Sequence, residues 1–565
     1  RLWISSMEES AIREGFSNLK DGRSYDNLYQ SALCRAKADW LVGINATRLF
    51  SILYHKTLNV GRVQTPTLTM LVNRDYAISS FKKEKYHVVR LDAGGVSALS
   101  ERLNDEAAAQ QMKAACEKSQ AVCTSLKKEK KTVAPPKLFD LTALQREANR
   151  LYGFTAKQTL DYAQALYEKR LLTYPRTDSK YITSDMQDST KELITGLCSL
   201  LPFMRDVKLQ ADLTRVCDNS KVTDHHAILP TAEFLKTGFS SLTDSETKLM
   251  TLVCAKLLCA AAAPYEYEAV TAVISCGGYT FTAKGKTTLC EGWREIEKLS
   301  RAASEEQDED AEPETVLPPL AEGQTFDNPA AEISECYTQP PKAYTEDTLL
   351  SAMENAGKEE TPEDAERKGL GTTATRAGII EKLISAGFAE RKGKKLIPTK
   401  DGYNLVAILP DSLTSPQLTA EWETRLTGIA KGSDSPADFM RGIEEMTAGL
   451  VKTYSAISED KAKLFTPQRE AIGTCPRCGA AVYEGKKNFY CSDRACSFVM
   501  WKNDRFFEQR KKAFTKAIAA ALLKDGKVKI KGMYSTKTGK TFDGVVLLAD
   551  TGGKYVNFRV EQNRK

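Results

Sequence analysis

The order of secondary-structure signals restricts this chain most: two strand-rich stretches bracket a long helical block. Residues 84–132 show strand-like alternation, as in KYHVVRLDA, with a helical interruption near 105–118. Strand signals return at 266–283, YEYEAVTAVISCGGYTF, and again at 324–338. Between them, Pro135 and Pro136 break the chain and residues 138–262 read as helices. This order permits two discontinuous passes through one β domain, which would hold the helical block out as an insertion, like a lid on an arch.

Residues 26–83 read as helical. The stretch YDNLYQSALCRAKADWLVGINATRLFSILY keeps apolar residues at three-to-four spacing, with Asp26 or Asn27 as its cap. Helical character resumes at Thr345. The stretch ATRAGIIEKLISAGFAERKGKKLIPTKDG then gives a helix from about Thr375, a stop at Gly387 and a Lys/Arg-rich hairpin, which is how a winged helix reads. From Glu305 to Glu314 there are seven acidic residues and no basic one, so the run 303–319 reads as a solvated loop. At 565 residues the chain is too long for one core, and three to five domains are expected. Its 42% hydrophobic and 27% charged content is that of a soluble globular protein. The longest apolar run, LVCAKLLCAAAAP, carries Lys256 and is too short to span a bilayer, and no secretory signal pattern occurs. The chain opens at Arg1 inside the strand-like RLWISS, as a fragment lacking its N-terminal part would.

Ten of the 14 cysteines are scattered singly, several within apolar helical stretches, as in a reducing compartment. The other four, Cys475, Cys478, Cys491 and Cys496, form two close pairs around a hairpin-like segment, the spacing of a zinc ribbon. From Trp501 to Lys565 there are 16 Lys/Arg against 6 Asp/Glu, a nucleic-acid footprint or a solvated surface. Phe506, Phe507, Tyr534 and Phe558 in that tail are either stacking surfaces or the core of a small β-rich module.

The stretch LLTYPRTDSK sets Tyr174 beside Pro175, with Arg176 two residues beyond it. A phenol of pKa about 10 needs deprotonation and a stabilised anionic product before it serves as a nucleophile. Arg176, always charged and fixed by Pro175, can clamp a phosphate oxygen beside it. Thr173, Thr177 and Asp178 add hydroxyls and an acceptor close in sequence. In DHHAILPT, His225 offers a second donor to a pentacoordinate phosphate. A metal pair is the rival reading of His225 and His226, but adjacent helical side chains point about 100° apart. In NVGRVQTPTL, Gly61 permits close backbone approach, and Arg62 and Gln64 can engage phosphate without reading bases. Upstream, Arg35, Asp39 and Arg48 share one helical region.

Taken in order, YDNLYQSALCRAKADWLVGINATR, VGRVQTPTL, LYEKRLLTYPRTDSKYI, DHHAILPT and GLGTTATRAGIIEKLI resemble the type IA DNA topoisomerases, most closely their bacterial topoisomerase III-like branch. The similarity covers nearly the whole chain. It implies a multidomain α+β toroid, with helical domains and a discontinuous β domain forming an arch, followed by a zinc ribbon and a small β-rich module. It also implies an enzyme that cuts one strand, holds the 5′ phosphate on tyrosine, passes another strand and reseals. By motif, Tyr174 is then the nucleophile, Arg176 stabilises the scissile phosphate, and His225 and Gln164 assist. Arg35, Arg62, Gln64 and Arg376 line the single-strand groove, with Thr173 and Asp178 beside them.

No ATP is implied, because the phosphotyrosine ester conserves the bond energy, and no Walker A loop occurs. The implied cofactors are structural Zn²⁺ and, in the full-length enzyme, Mg²⁺ held by Toprim acids. Here RLWISSMEESAIREGF resembles only the end of that Toprim domain, and the metal-binding acids are absent from the sequence. The expected division is 1–25 as the Toprim remnant, with 26–83 and 339–465 as a helical DNA-binding domain in two parts, the second winged-helix-like. Residues 84–135 and 263–338 form the β arch, 136–262 the tyrosine domain, 473–500 the ribbon and 501–565 the terminal repeat-like module. The expected partner is single-stranded or negatively supercoiled DNA, met by a cytoplasmic monomer at the bacterial nucleoid or a plasmid. The alternative is a truncated single-strand-binding or partner-docking protein without catalysis. A tyrosine recombinase or relaxase fits poorly, because neither an Arg-His-Arg set around a C-terminal tyrosine nor a spaced His triad occurs.

Overall fold

The computed structural model describes residues 1–2, 4, 9–222, 224–303, 315–357, 369–456, 461, 463–465, 470–553 and 555–561. The acidic run Glu305–Glu314 and half of the opening RLWISS therefore lie outside the described residues. The chain divides into two compact units, Arg1–Ala462 and Lys463–Lys565.

In the first unit, strands from both strand-rich stretches join one antiparallel sheet. They are β1 (Lys85–Ala93), β2 (Val96–Leu99), β3 (Ala121–Val133), β4 (Tyr265–Cys276), β5 (Tyr279–Cys290), β6 (Thr325–Phe326) and β7 (Ala330–Tyr337), in the order β6-β3-β4-β5-β2-β1-β7. Two-residue turns at Gly94–Gly95 and Gly277–Gly278 have φ of +57° and +83°, and +58° and +81°. Glycine adopts both positive values without a Cβ clash, so it sets these hairpins and their register. Every second residue of β1 from His87 to Ala93 is buried, and Val89, Leu91, Ile274 and Phe281 pack under helix Glu106–Cys116. The distal part of β3, from Lys127 to Val133, is exposed on both faces and pairs with β4 as far as Val133 opposite Tyr265. Cross-strand pairs of Lys130 with Glu266 (2.8 Å) and Lys128 with Glu268 (3.8 Å) border this two-faced ribbon. It leads directly into and out of the helical block.

That block builds its own core around helix Asp244–Ala260, whose apolar residues are buried almost all round. Capping boxes start this helix (Thr243 with Glu246) and helix Ala156–Glu168 (Thr155 with Gln158). Asp140 caps helix Leu141–Tyr152 by accepting from Ala143 N–H. Helix Trp293–Ala303, absent from the sequence reading of this stretch, packs against the block, with Ile296 in the same core.

The stretch 26–83 is two helices, Asp26–Leu53 and Gln64–Ser79, rather than one run. The connection is pinned by side chains of the first helix: Thr47 and Ser51 hydroxyls accept from the backbone N–H groups of Val60 and Leu58. Distant helices close this region: the Ser31 hydroxyl donates to the carbonyl of Leu426 in helix Gln417–Lys431. Helix Thr373–Ser385 is followed by the hairpin β8 (Ala389–Lys392) and β9 (Lys395–Pro398), the helix-and-wing order anticipated from sequence.

The second unit holds a four-stranded sheet, β10 (Ala471–Thr474), β11 (Ala481–Glu484), β12 (Asn488–Cys491) and β13 (Val499–Trp501). A three-stranded sheet follows, β14 (Lys527–Tyr534), β15 (Thr541–Ala549) and β16 (Asn557–Glu561). Two helices missed by the β-rich reading, Arg505–Gln509 and Lys516–Asp525, lie between the sheets in sequence. Phe507 and Phe514 stack at 4.2 Å, and Phe506 and Phe558 pack around them. Of the four rings named from sequence, Phe506, Phe507 and Phe558 thus belong to this core.

Candidate active site

Tyr174 owes its position to the end of helix Ala156–Glu168. Arg170 takes a left-handed φ of +62°, and Leu171 N–H closes back on Leu166 O, so the chain leaves the helix sharply. Buried Leu171 and Leu172 then anchor the following segment against residues 227–231. Thr231 N–H donates to Leu171 O, Thr173 N–H donates to Leu229 O, and the Thr173 hydroxyl accepts from Leu229 N–H at 2.9 Å. Thr173 therefore spends its hydroxyl on holding this pairing.

Tyr174 emerges half-buried between two rings. Tyr167 meets it edge-on at 5.5 Å, and the exposed His225 imidazole lies 4.5 Å away, tilted by 44°. Arg176 Nη1 donates to Gln164 Oε1 at 2.5 Å, and Gln164 Nε2 donates to Glu168 Oε1 at 2.9 Å. Buried Thr177 donates its hydroxyl to His225 O, while Asp178 faces solvent. His226 turns its Nδ1 to Ala227 O at 2.7 Å. Tyr174 and Arg176 from one motif, His225 from another and Gln164 from the preceding helix thus converge, with a phenol, a guanidinium and an imidazole on one surface. Tyr167 and Glu168 were not named from sequence. Their signal is helical spacing, because residues three and four beyond Gln164 share its face.

Arg62 and Gln64 line a groove of about 410 Å³ with Gly43, Gly61, Gly371, Thr372, Thr375 and Lys382. The Arg62 guanidinium is engaged within its wall: it donates to Asp39 Oδ1 at 2.8 Å and Glu423 Oε1 at 3.1 Å, and lies over the Trp422 ring. Burial works against its charge, but Asp39 and Glu423 outweigh that and raise its pKa. Arg35, also buried, donates to Glu423 Oε2 at 2.8 Å. Arg376 lies elsewhere. It is 3% exposed, donates to Leu370 O and Thr142 Oγ1, and so ties helix Thr373–Ser385 to the tyrosine-bearing block.

In the second unit the Sγ atoms of Cys475, Cys478, Cys491 and Cys496 all lie within 4.8 Å of one another. Cys478 and Cys491 are 3.3 Å apart, and Cys475 and Cys496 3.7 Å. A tetrahedron of Zn–S bonds of about 2.3 Å has edges of about 3.8 Å, so these donors suit a closed zinc site. Among the described residues this is the only such group of metal-binding side chains.

Residues 23–441 match the family model described as DNA topoisomerase. The DNA topoisomerase 3 of Bacillus licheniformis is 39% identical over 522 residues, covering 88% of this chain and 70% of that protein. The DNA topoisomerase 3 of Bacillus subtilis is 38% identical with the same coverage. A full-length topoisomerase I structure from Thermotoga maritima is similar with a TM-score of 0.63 at 23% identity, over 89% of this chain and 80% of that one, a likeness of fold.

Proposed function

This chain belongs to the type IA DNA topoisomerases, in their topoisomerase III-like branch, and from that premise we propose that Tyr174 is its nucleophile. The phenol oxygen attacks the scissile phosphorus, the Oη–P bond forms as the P–O3′ bond breaks, and the 3′ oxygen leaves with a proton. One phosphoester replaces another, so religation runs the same step backward without ATP. Arg176 and His225 stabilise the charge that develops on the phosphorus oxygens, and Gln164 positions Arg176 through the bond at 2.5 Å. The convergence of these four residues is the observation that carries the reading.

The groove beside Gln64 takes the single strand. Arg62 in its wall and Arg35 behind Glu423 shape it through their ion pairs, Arg376 holds the neighbouring helix to the tyrosine-bearing block instead of lining the groove, and Asp178 and Thr173 border the scissile position. The Mg²⁺ implied by the family does not fit the described residues around Tyr174: Glu168 is held by Gln164, and no set of three acids converges. The step is therefore written through this chain's own groups. The joining of strands from 85–133 and 265–337 in one sheet supports the expected division of the first unit into β arch, helical DNA-binding domain and tyrosine domain. The bacterial relatives support a cytoplasmic enzyme, and a monomer acting on plasmid or nucleoid DNA is part of the same proposal. No helix among the described residues is long and apolar enough to cross a membrane.

Tyr174→Phe in the full-length protein tests the assignment. It removes one oxygen and no phosphate contact, so cleavage is abolished while single-strand binding stays. A covalent protein–DNA adduct that persists in the variant on a denaturing gel refutes it, and a wild type that binds DNA but never forms the adduct supports the binding-protein alternative.

A further inference from the structure

The segment that carries Tyr174 carries a second tyrosine seven residues on, in different surroundings. Tyr181 is half-buried, and its backbone is held on both sides: Tyr181 O accepts from Ala227 N–H, and Tyr181 N–H donates to the Ser179 hydroxyl. Because Ala227 lies two residues after His225, the segment that seats the Tyr174 ring also seats Tyr181. Two ammonium groups converge on its ring. Lys137 Nζ donates to the phenol oxygen and lies 4.8 Å from the ring centroid, and Lys221 Nζ lies 4.9 Å from the same centroid. Both lysines are exposed.

The charges here do not cancel. Asp218 pairs with Lys221 at 2.9 Å, but among the described residues no carboxylate lies within ion-pair distance of Lys137. The hydrogen bond from Lys137 lowers the phenol's pKa, ahead of the burial that opposes it. The phenol oxygen accepts from Lys137, which leaves its own proton to be donated outward. An exposed ammonium and a phenol O–H that share one hydrogen bond and face solvent suit a phosphate oxygen.

We propose that Lys137, Tyr181 and Lys221 form a second phosphate-binding site, which grips the backbone of the cleaved strand downstream of its 5′ phosphate. The proposal rests on Tyr174 as the attachment point. Seven extended residues span at most about 24 Å, so the two sites lie within a few nucleotides of each other. Both sit on the same segment and move together, so the attached strand stays gripped when the tyrosine-bearing block swings away.

The test measures binding of a fluorescent single-stranded oligonucleotide to the full chain by anisotropy, across salt. Each phosphate neutralised on a single strand contributes about 0.7 to the slope of log K against log salt. Lys137→Ala should reduce the slope by about 0.7, so that between 50 and 200 mM salt it loses about 2.6-fold less affinity than wild type. Lys137→Arg should restore it. Tyr181→Phe removes a neutral donor, so it should weaken binding at every salt concentration without changing the slope. A methylphosphonate walked along the downstream linkages should abolish the Lys137 dependence at one of them. An unchanged slope in Lys137→Ala, or loss of the dependence only upstream of the cleavage position, overturns the proposal. Adduct formation is read separately, in the full-length protein: a wild type that forms none there refutes the role of Tyr174, while the slope still decides the clamp.

Discussion

Glu423→Ala should unfold the first unit far more readily than its position on an ordinary helix suggests. Glu423 is in helix Gln417–Lys431 with its side chain 4% exposed, and one oxygen accepts from Arg35 and the other from Arg62. The side chains of the two arginines are 9% and 5% exposed. Alanine favours the helix, so the backbone contributes no penalty. The cost is electrostatic: one buried carboxylate is removed from between two buried guanidinium groups, and breaking a buried pair in this way costs about 3–5 kcal/mol. Asp39 is the internal control. It also binds Arg62, but its side chain is 43% exposed, so solvent screening limits Asp39→Ala to about 1 kcal/mol or less. Differential scanning calorimetry reads the contrast. With an unfolding entropy of about 2.1 cal/mol/K per residue, a unit of this size shifts by about 1 °C per kcal/mol, so Glu423→Ala should lower the midpoint of its transition by about 3–5 °C and Asp39→Ala by no more than about 1 °C. If Glu423→Ala melts with the wild type while its affinity for single-stranded DNA falls, Arg35 and Arg62 are phosphate ligands and not structural cations, and the reasoning fails.

Arg176→Ala should lower single-turnover cleavage by about 10²–10³ with single-strand binding nearly unchanged, because its charge matters most as negative charge builds on the phosphate. Quenched-flow cleavage at the wild-type rate would remove it from the mechanism. The four-cysteine cluster should hold one structural Zn²⁺ per chain, so metal analysis of the purified protein should give one, and Cys475→Ser or a strong chelator should lower the melting of residues 463–565. Absence of zinc from protein that melts normally would argue against the site.

The legibility of these features in sequence follows the separation of the partners. Tyr174 and Arg176 lie in one short motif, so a phenol beside a proline and a fixed cation were enough to suggest their pairing, whereas Gln164 on the preceding helix came from the family resemblance. His225 came from a motif, and its proximity to Tyr174 depends on pairing between 171–173 and 227–231 that periodicity does not encode. Arg35 and Arg62 show the opposite case. Read alone, each is a cation suited to phosphate, and only the fold brings Glu423 to them across 388 and 361 residues. Arg376 likewise meets Thr142 across 234 residues. Helices Trp293–Ala303 and Lys516–Asp525 were missed because the strand signals beside them dominated the reading of their segments, although Thr515 is a legible N-cap for the second.

A type IA enzyme must part its tyrosine-bearing block from the helical region to admit a second strand, and the contacts between them suit that demand. Beside the packing of helix Glu346–Asn355, they include several polar pairs. Arg376 meets Thr142, and Arg146 pairs with Asp347 at 2.8 Å. Glu346 accepts from Ala156 N–H at 2.5 Å while also holding Arg391. Burial lowers the Arg376 pKa against the pull of Glu354 and Asp140, so closure keeps that guanidinium in an environment that disfavours its charge. Opening returns it to water. Each hydrogen bond given up is replaced by one to solvent, at a net cost of about 1 kcal/mol, whereas the apolar core around helix Asp244–Ala260 would lose its burial outright. On this account the polar pairs should yield before the core does, and the block should move as a body. Its root is held as well: Pro135 and Pro136 follow β3, and Trp293 bonds both connections at once, its indole N–H donating to Val133 O and its backbone N–H to Ala263 O. Polar contacts at the mouth and a doubly bonded tryptophan at the root give a block that can swing without coming loose.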